Sequence, residues 1–286
     1  MIRALFLTSR PLSWVNTAFP FAAAYYLATR EIDATLIVGT LFFLVPYNVA
    51  MYGINDVFDY ASDLRNPRKG GVEGALLEPR WHRPVLWASG VLAVPFVVYL
   101  VIVGSWPSWV ALGVSLFAVV AYSAAGLRFK ERPVLDSITS STHFVSPAVY
   151  ALVLAGATFT PALLAILAAF FLWGAASHAF GAVQDVVADR EGGIASIATV
   201  IGARRTVRLS VVLYLLAGVL LLAAEWPGQL AALLALPYAV NVAGWWRVTD
   251  ETAPTANRGW RRFLWLNFAT GFGVTMLLIA YAFVAG

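Results

Sequence analysis

Nine apolar stretches of about 20 residues run along this chain, near 11–29, 34–55, 84–103, 108–126, 136–157, 161–182, 205–224, 228–246 and 262–285. About 20 apolar residues in a helix span the hydrocarbon core of a bilayer, and a helix satisfies its own backbone polar groups there. Only 12% of the residues are charged, about half the share found in soluble domains. The expectation is an all-α polytopic membrane protein. Its nine or so transmembrane helices would surround a central cavity, in a single membrane-embedded domain covering 1–286, with cytoplasmic loops capping the active site. Arg3 and Arg10 before the first stretch mimic a signal peptide. The equally apolar stretches that follow make it a first membrane helix instead.

The connections alternate in basic content. One side carries Arg3 and Arg10; Arg65, Arg68, Lys69, Arg80 and Arg83; Arg128, Lys130 and Arg132; Arg190, Arg204, Arg205 and Arg208; and Arg247, Arg258, Arg261 and Arg262. The other side carries Arg30 beside the short turns "SWPS", "TFTP" and "EWPGQ". The positive-inside rule then puts the N-terminus and the basic loops in the cytoplasm of a cell-membrane protein and the C-terminus outside. The net charge of +4 is thereby read as a topology signal, not as a nucleic-acid surface. Cysteine is absent, which excludes disulfides and thiolate metal sites.

Two cytoplasmic connections, 56–83 and 183–204, are long, and long connections in a compact protein are commonly functional. They resemble each other. "YGINDVFDYASD" leaves the second stretch and "FGAVQDVVADREGG" leaves the sixth, each with an aromatic–glycine pair and then an amide residue before an aspartate. This suggests a duplicated four-helix unit, roughly 11–126 and 136–246, followed by a final helix at 262–285.

Carboxylates at membrane depth cost about 2.5–3.5 kcal/mol each on insertion scales, and neighbouring ones repel unless a cation joins them. In a helix, Asn55, Asp56, Asp59 and Asp63 share one face at three- and four-residue spacings, and Asp185 and Asp189 repeat the spacing of four. Oxygen ligands without cysteine or a histidine cluster suit a hard cation such as Mg²⁺, which takes one or two carboxylates and completes its shell with water and phosphate. Asn55, Asp56, Asp59, Asp63, Asp185 and Asp189 are thus the candidate metal ligands. Arg10, Lys69, Arg128 and Lys130, with Asn55, are the candidate diphosphate contacts, since cationic side chains bind phosphate oxygens strongly. His178, seven residues before Asp185, and His143 read as packing residues, and His82 as a loop residue.

At these residues the chain resembles the UbiA-type superfamily of intramembrane prenyltransferases. That superfamily pairs an "NDxxDxxxD" motif after its second helix with a "DxxxD" motif after its sixth. "YSAAGLRFK" is similar to its tyrosine-plus-base stretch, which implies a role for Tyr122 and for Arg128 or Lys130. The text "NPRKGGVEGALLEPRWHRP" departs from the common Arg-Pro continuation of the first motif, and Lys69 is the candidate replacement for its arginine. Together with "SRPLSWVNTAFPF" and "RFKERPVLDSITSSTHF", this shape looks like the branch of bacterial lycopene elongases of C50 carotenoid synthesis.

The resemblance implies Mg²⁺-dependent transfer of a prenyl group from dimethylallyl diphosphate to lycopene, with or without addition of water. Asp56, Asp59, Asp185, Asp189 and Tyr122 would be catalytic. The membrane would shield the allylic cation from water, and Trp14, Tyr47, Tyr52, Tyr122 and Trp173 are candidates to face it. The alternatives are a relative that prenylates a quinone precursor, a porphyrin or another lipid acceptor, and a cation transporter. A transporter would place its ionisable residues along a pathway inside the spans, whereas these acids gather at one membrane edge.

Overall fold

The computed structural model describes residues 1–60, 64 and 76–284, and all regular elements among them are helical. In chain order they are α1 (Ile2–Thr8), α2 (Val15–Thr29), α3 (Ala34–Leu44), α4 (Pro46–Phe58), α5 (His82–Val103), α6 (Trp106–Ser123) and α7 (Leu135–Leu154). Then come α8 (Pro161–Val183), α9 (Val186–Gly192), α10 (Ile197–Ile201), α11 (Ala203–Leu221), α12 (Ala235–Ala243) and α13 (Asn257–Val284). Short polar residues start several of them. Asp33 accepts the Leu36 N–H at 2.7 Å, and Thr160 accepts the Leu163 N–H at 3.2 Å just before Pro161.

Among the described residues, five helical stretches are long and apolar enough to cross a membrane: Ala34–Phe58, Pro79–Val103, Trp106–Ser123, Pro161–Val183 and Ala253–Val284. The protein is a multi-pass membrane protein. The other four expected ranges are helical too, and each falls short for a legible reason. Helix α2 has only 15 residues, and α11 carries Arg204, Arg205 and Arg208 in its first two turns. In α7 the run Ser137–Ser146 is mostly Ser, Thr and His. The stretch from 228 begins as a 3-10 helix, Gly228–Leu234, before the nine residues of α12.

The chain divides into two compact units: Met1–Phe129 with His143–Ala157, and Lys130–Thr142 with Thr158–Gly286. In the first, α4 packs on α5 and α6, and α2 packs on α3. Its core is aromatic. Phe43 lies 5.2 Å from Phe21, 4.9 Å from Phe42 and 5.1 Å from Tyr47, ring centre to ring centre. Each such pair contributes about 0.5–1.5 kcal/mol beyond the area it buries, and inside a bilayer close packing is a principal attraction between helices. Gly39 permits the α2–α3 approach, because a Cβ there would lie 2.1 Å from the Phe21 ring.

The expected second span is broken in the middle. Pro46 has no N–H to continue the helix, so α3 ends at Leu44 and α4 begins anew. The carbonyls exposed by the break are closed by side chains. Asn48 donates to Phe43 O at 2.8 Å and to Leu44 O at 3.1 Å, and Thr17 donates to Phe43 O at 2.7 Å. This elbow aims α4, whose far end carries the first acidic set.

In the second unit α8 packs on α11, and α11 on α12. Tyr214 stacks on Tyr238 at 5.3 Å, and Phe263 of α13 lies 4.7 Å from Trp260. Trp173 belongs to this cluster, 5.9 Å from Tyr238, and in the first unit Tyr47 is buried with its hydroxyl accepting from Ser115 at 3.1 Å. Both pack within these aromatic clusters.

Candidate active site

The first acidic set closes α4 in the first unit. Asp56 and Asp59 are 1% and 4% exposed, with Asp59 as the C-cap residue. Buried carboxylates demand compensation, and each has an arginine against it. Arg10 Nη2 lies 2.9 Å from Asp56 Oδ1, and Arg128 Nη2 lies 3.7 Å from Asp59 Oδ1. Asn55 donates to Asp59 Oδ2 at 2.7 Å and to Ser123 Oγ at 3.0 Å, so the amide locks the carboxylate orientation.

Both arginines occupy left-handed backbone positions, at φ 49° for Arg10 and 41° for Arg128. Such positions cost a non-glycine residue of order 1–3 kcal/mol and concentrate at functional sites. Among the described residues only Arg30 and Val134 share that feature outside glycine. Arg10 is further held by its guanidinium lying 4.2 Å over the Tyr52 ring, a cation–π contact. Tyr122 packs edge-on at 5.2 Å from His143 in the same unit.

The second acidic set follows α8. Asp185 is the N-cap residue of α9, and Asp189 lies in that helix's first turn, where the dipole favours negative charge. Gln184, which matches Asn55 in sequence, is engaged elsewhere: it donates to Gly181 O at 3.0 Å and accepts from Asn257 at 2.6 Å. The segment beyond is pinned by two carboxylates. Buried Asp136 accepts the Ser137 N–H and the Ile197 N–H, both at 2.7 Å. Asp250 accepts the Ala203 N–H at 2.7 Å and Arg190 Nη1 at 2.6 Å. The Ala203 N–H and the Arg190 guanidinium hold the Asp250 carboxyl below the usual carboxylate range, against the opposing pull of partial burial.

Sequence reasoning singled out neither Asp136 nor Asp250, and took Arg190 for a topology charge. A helix-starting "S-x-x-T" at 196–199 and the "GARR" that follows were the available signals that backbone N–H groups near 197 and 203 needed acceptors. Lys130 lies 4.0 Å from Glu131 in the second unit. His178 contacts Ser137 Oγ at 3.2 Å, and His82 contacts Leu77 O at 2.9 Å. Asp63 and Lys69 lie outside the described residues.

The donor set fits a hard divalent cation. Each acidic set offers two carboxylates a helical turn apart, the first with an amide oxygen beside it. Among the described residues no three or more His, Asp or Glu form an all-protein cage, and Mg²⁺ needs none when water and phosphate complete its shell.

These helices, with an acidic set at the ends of α4 and α8, have the pattern of one enzyme class. The sequence matches the UbiA prenyltransferase family over residues 17–284, and the chain belongs to that family. It is an intramembrane prenyltransferase. Over 279 residues it is 55% identical to the lycopene elongase/hydratase of Corynebacterium glutamicum, covering 98% of this chain and 97% of that one. It is 58% identical to the C(50) beta-cyclic carotenoids biosynthesis protein LbtBC of Dietzia sp., over 98% of this chain and 65% of that longer protein. Its fold matches that of a UbiA homolog from Archaeoglobus fulgidus bound to DMAPP and Mg²⁺, with a TM-score of 0.67 at 19% identity over 96% of this chain and 99% of that one.

Proposed function

We propose that this protein transfers dimethylallyl groups from dimethylallyl diphosphate to the ends of lycopene, giving C45 and C50 carotenoids, with or without addition of water to the product cation. The carrying observation is the 55% identity, end to end, to a lycopene elongase/hydratase.

In this reading each acidic set helps to hold Mg²⁺: Asn55, Asp56, Asp59 and Asp63 in the first, Asp185 and Asp189 in the second. When bound, Mg²⁺ supplies Lewis-acid stabilisation of the diphosphate charge. Arg10, Lys69, Arg128 and Lys130 bind diphosphate oxygens and stabilise the charge that collects on pyrophosphate as the allylic C–O bond breaks. Asn55 keeps Asp59 oriented. Apolar surroundings and aromatic faces such as Tyr52 and Tyr122 keep water from the allylic cation until the terminal alkene of lycopene attacks it. The new C–C bond leaves a tertiary cation on the acceptor, which loses a proton or takes up water and then releases one. The alternation of basic loops supports a cytoplasmic N-terminus and cytoplasmic acidic connections, with the C-terminus outside.

The test is expression in a lycopene-producing host with mass spectrometry of the carotenoids. Products heavier than lycopene by one and two C5 units, with or without water, are expected. Unchanged lycopene, alongside prenylation of a quinone precursor by the same membranes, would overturn the assignment of the acceptor.

A further inference from the structure

Asp189 is followed directly by Arg190, and a mobile cation beside a metal-binding carboxylate competes with the metal for it. In the structure that guanidinium is committed elsewhere. Its Nη1 donates to Asp250 Oδ2 at 2.6 Å, while its Nε and Nη2 donate to the Thr199 carbonyl at 3.2 and 2.8 Å. All the side-chain nitrogens of Arg190 thus point at one carboxylate and one carbonyl. Asp250 is fixed in turn, because its Oδ1 accepts the Ala203 N–H at 2.7 Å. The backbone between these points turns through a left-handed position at Gly202, where φ is 82° and a Cβ would sit in ordinary contact with Asp250 Oδ1, at 3.4 Å. Asp250 is 60 residues away in sequence, on the connection before α13, and all the groups involved belong to one compact unit.

We propose that Asp250 is a positioning residue that withholds the Arg190 charge from Asp185 and Asp189, so that this acidic pair keeps its affinity for a divalent cation. The inference rests on the reading of Asp185 and Asp189 as metal ligands. It differs from a simple structural latch in one respect: the harm done by losing Asp250 comes from the arginine that it sets free, so removing that arginine as well should undo it.

The experiment measures Mn²⁺ binding to the purified full-length protein in detergent, in the presence of inorganic pyrophosphate, from the loss of the free-ion electron paramagnetic resonance signal. Asp250→Asn keeps an acceptor for the Ala203 N–H and removes the charge that holds Arg190. Withholding predicts that D250N weakens Mn²⁺ binding about tenfold and that D250N with R190Q returns to within about threefold of wild type. R190Q alone is expected to bind Mn²⁺ as wild type does or more tightly. Tenfold weakening in R190Q, or no rescue in the double variant, would overturn the proposal in favour of a latch. R190Q decides the matter alone if D250N does not fold. Wild-type binding that D185N abolishes and D250N leaves untouched would overturn this inference only. Binding that D185N leaves intact would overturn the metal reading, and this inference with it.

Discussion

Arg10 reaches Asp56 across 46 residues of chain, donating to its Oδ1 at 2.9 Å while the same guanidinium lies 4.2 Å over the ring of Tyr52. A residue ahead of the first long helix therefore sets the charge environment at the end of α4. The carboxylate it meets is almost wholly buried, which makes the pair sensitive to loss of either member.

Arg10→Gln removes the cation from a buried carboxylate, a change that costs about 3–5 kcal/mol in fully buried pairs and less here because the Arg10 side chain is 20% exposed. A lower melting temperature in detergent and at least about a tenfold fall in kcat/KM for dimethylallyl diphosphate are expected. Arg10→Lys should fall between, since an ammonium lacks the planar face that lies on Tyr52. Wild-type kinetics in R10Q would remove Arg10 from the diphosphate contacts.

Asp59→Asn and Asp189→Asn each keep shape and lose charge. Conversion of lycopene in membranes should drop about a hundredfold or more in both. Chelation of Mg²⁺ should abolish wild-type conversion, and adding Mg²⁺ back should restore it. Full activity in both variants would contradict the metal assignment.

Gly39→Leu tests the aromatic core independently of chemistry. Its Cβ would meet the Phe21 ring at 2.1 Å, and overpacking of this kind costs about 1–3 kcal/mol. A lower melting temperature is expected, with the Mn²⁺ affinity of the surviving folded protein unchanged.

Acid should loosen the second acidic loop through Asp250. Its folded pKa lies below the ordinary value of 3.8, so its contribution to stability is complete above that value and is lost as pH falls through the folded pKa. Between pH 5 and neutrality this group should leave the melting temperature flat, and below about pH 4 wild type should lose stability more steeply than D250N. Parallel acid profiles would rule out the Arg190–Ala203 clasp as its cause.

Much of this was legible in the residues, because hydropathy over 20 residues and acids at spacings of three and four are local signals. The start of α8 at Pro161 fell where "TFTP" put it, and Asp56 and Asp59 share the end of α4 as their spacing implied. Position 46 was harder to read: the apolar run continues through "LVPYN", and only the proline marks a break that Asn48 and Thr17 then stabilise. Asp136 and Asp250 were out of reach for another reason. They take backbone donors from 61 and 47 residues away, and no periodicity encodes a cap supplied by a distant segment of the chain. The start of α13 at Asn257 was displaced by Arg258, Arg261 and Arg262, charges that hydropathy reads as loop and that the helix accepts in its first two turns.

The elbow at Pro46 has a consequence for depth. Helices α3 and α4 together run through 25 residues, about 37 Å of helix against a hydrocarbon layer of about 30 Å. The surplus of about 7 Å is little more than one turn, and the final turn of α4 carries Asn55 and Asp56 and leads directly into its cap residue, Asp59. A segment shortened by that turn would traverse the lipid equally well and present no carboxylate at all.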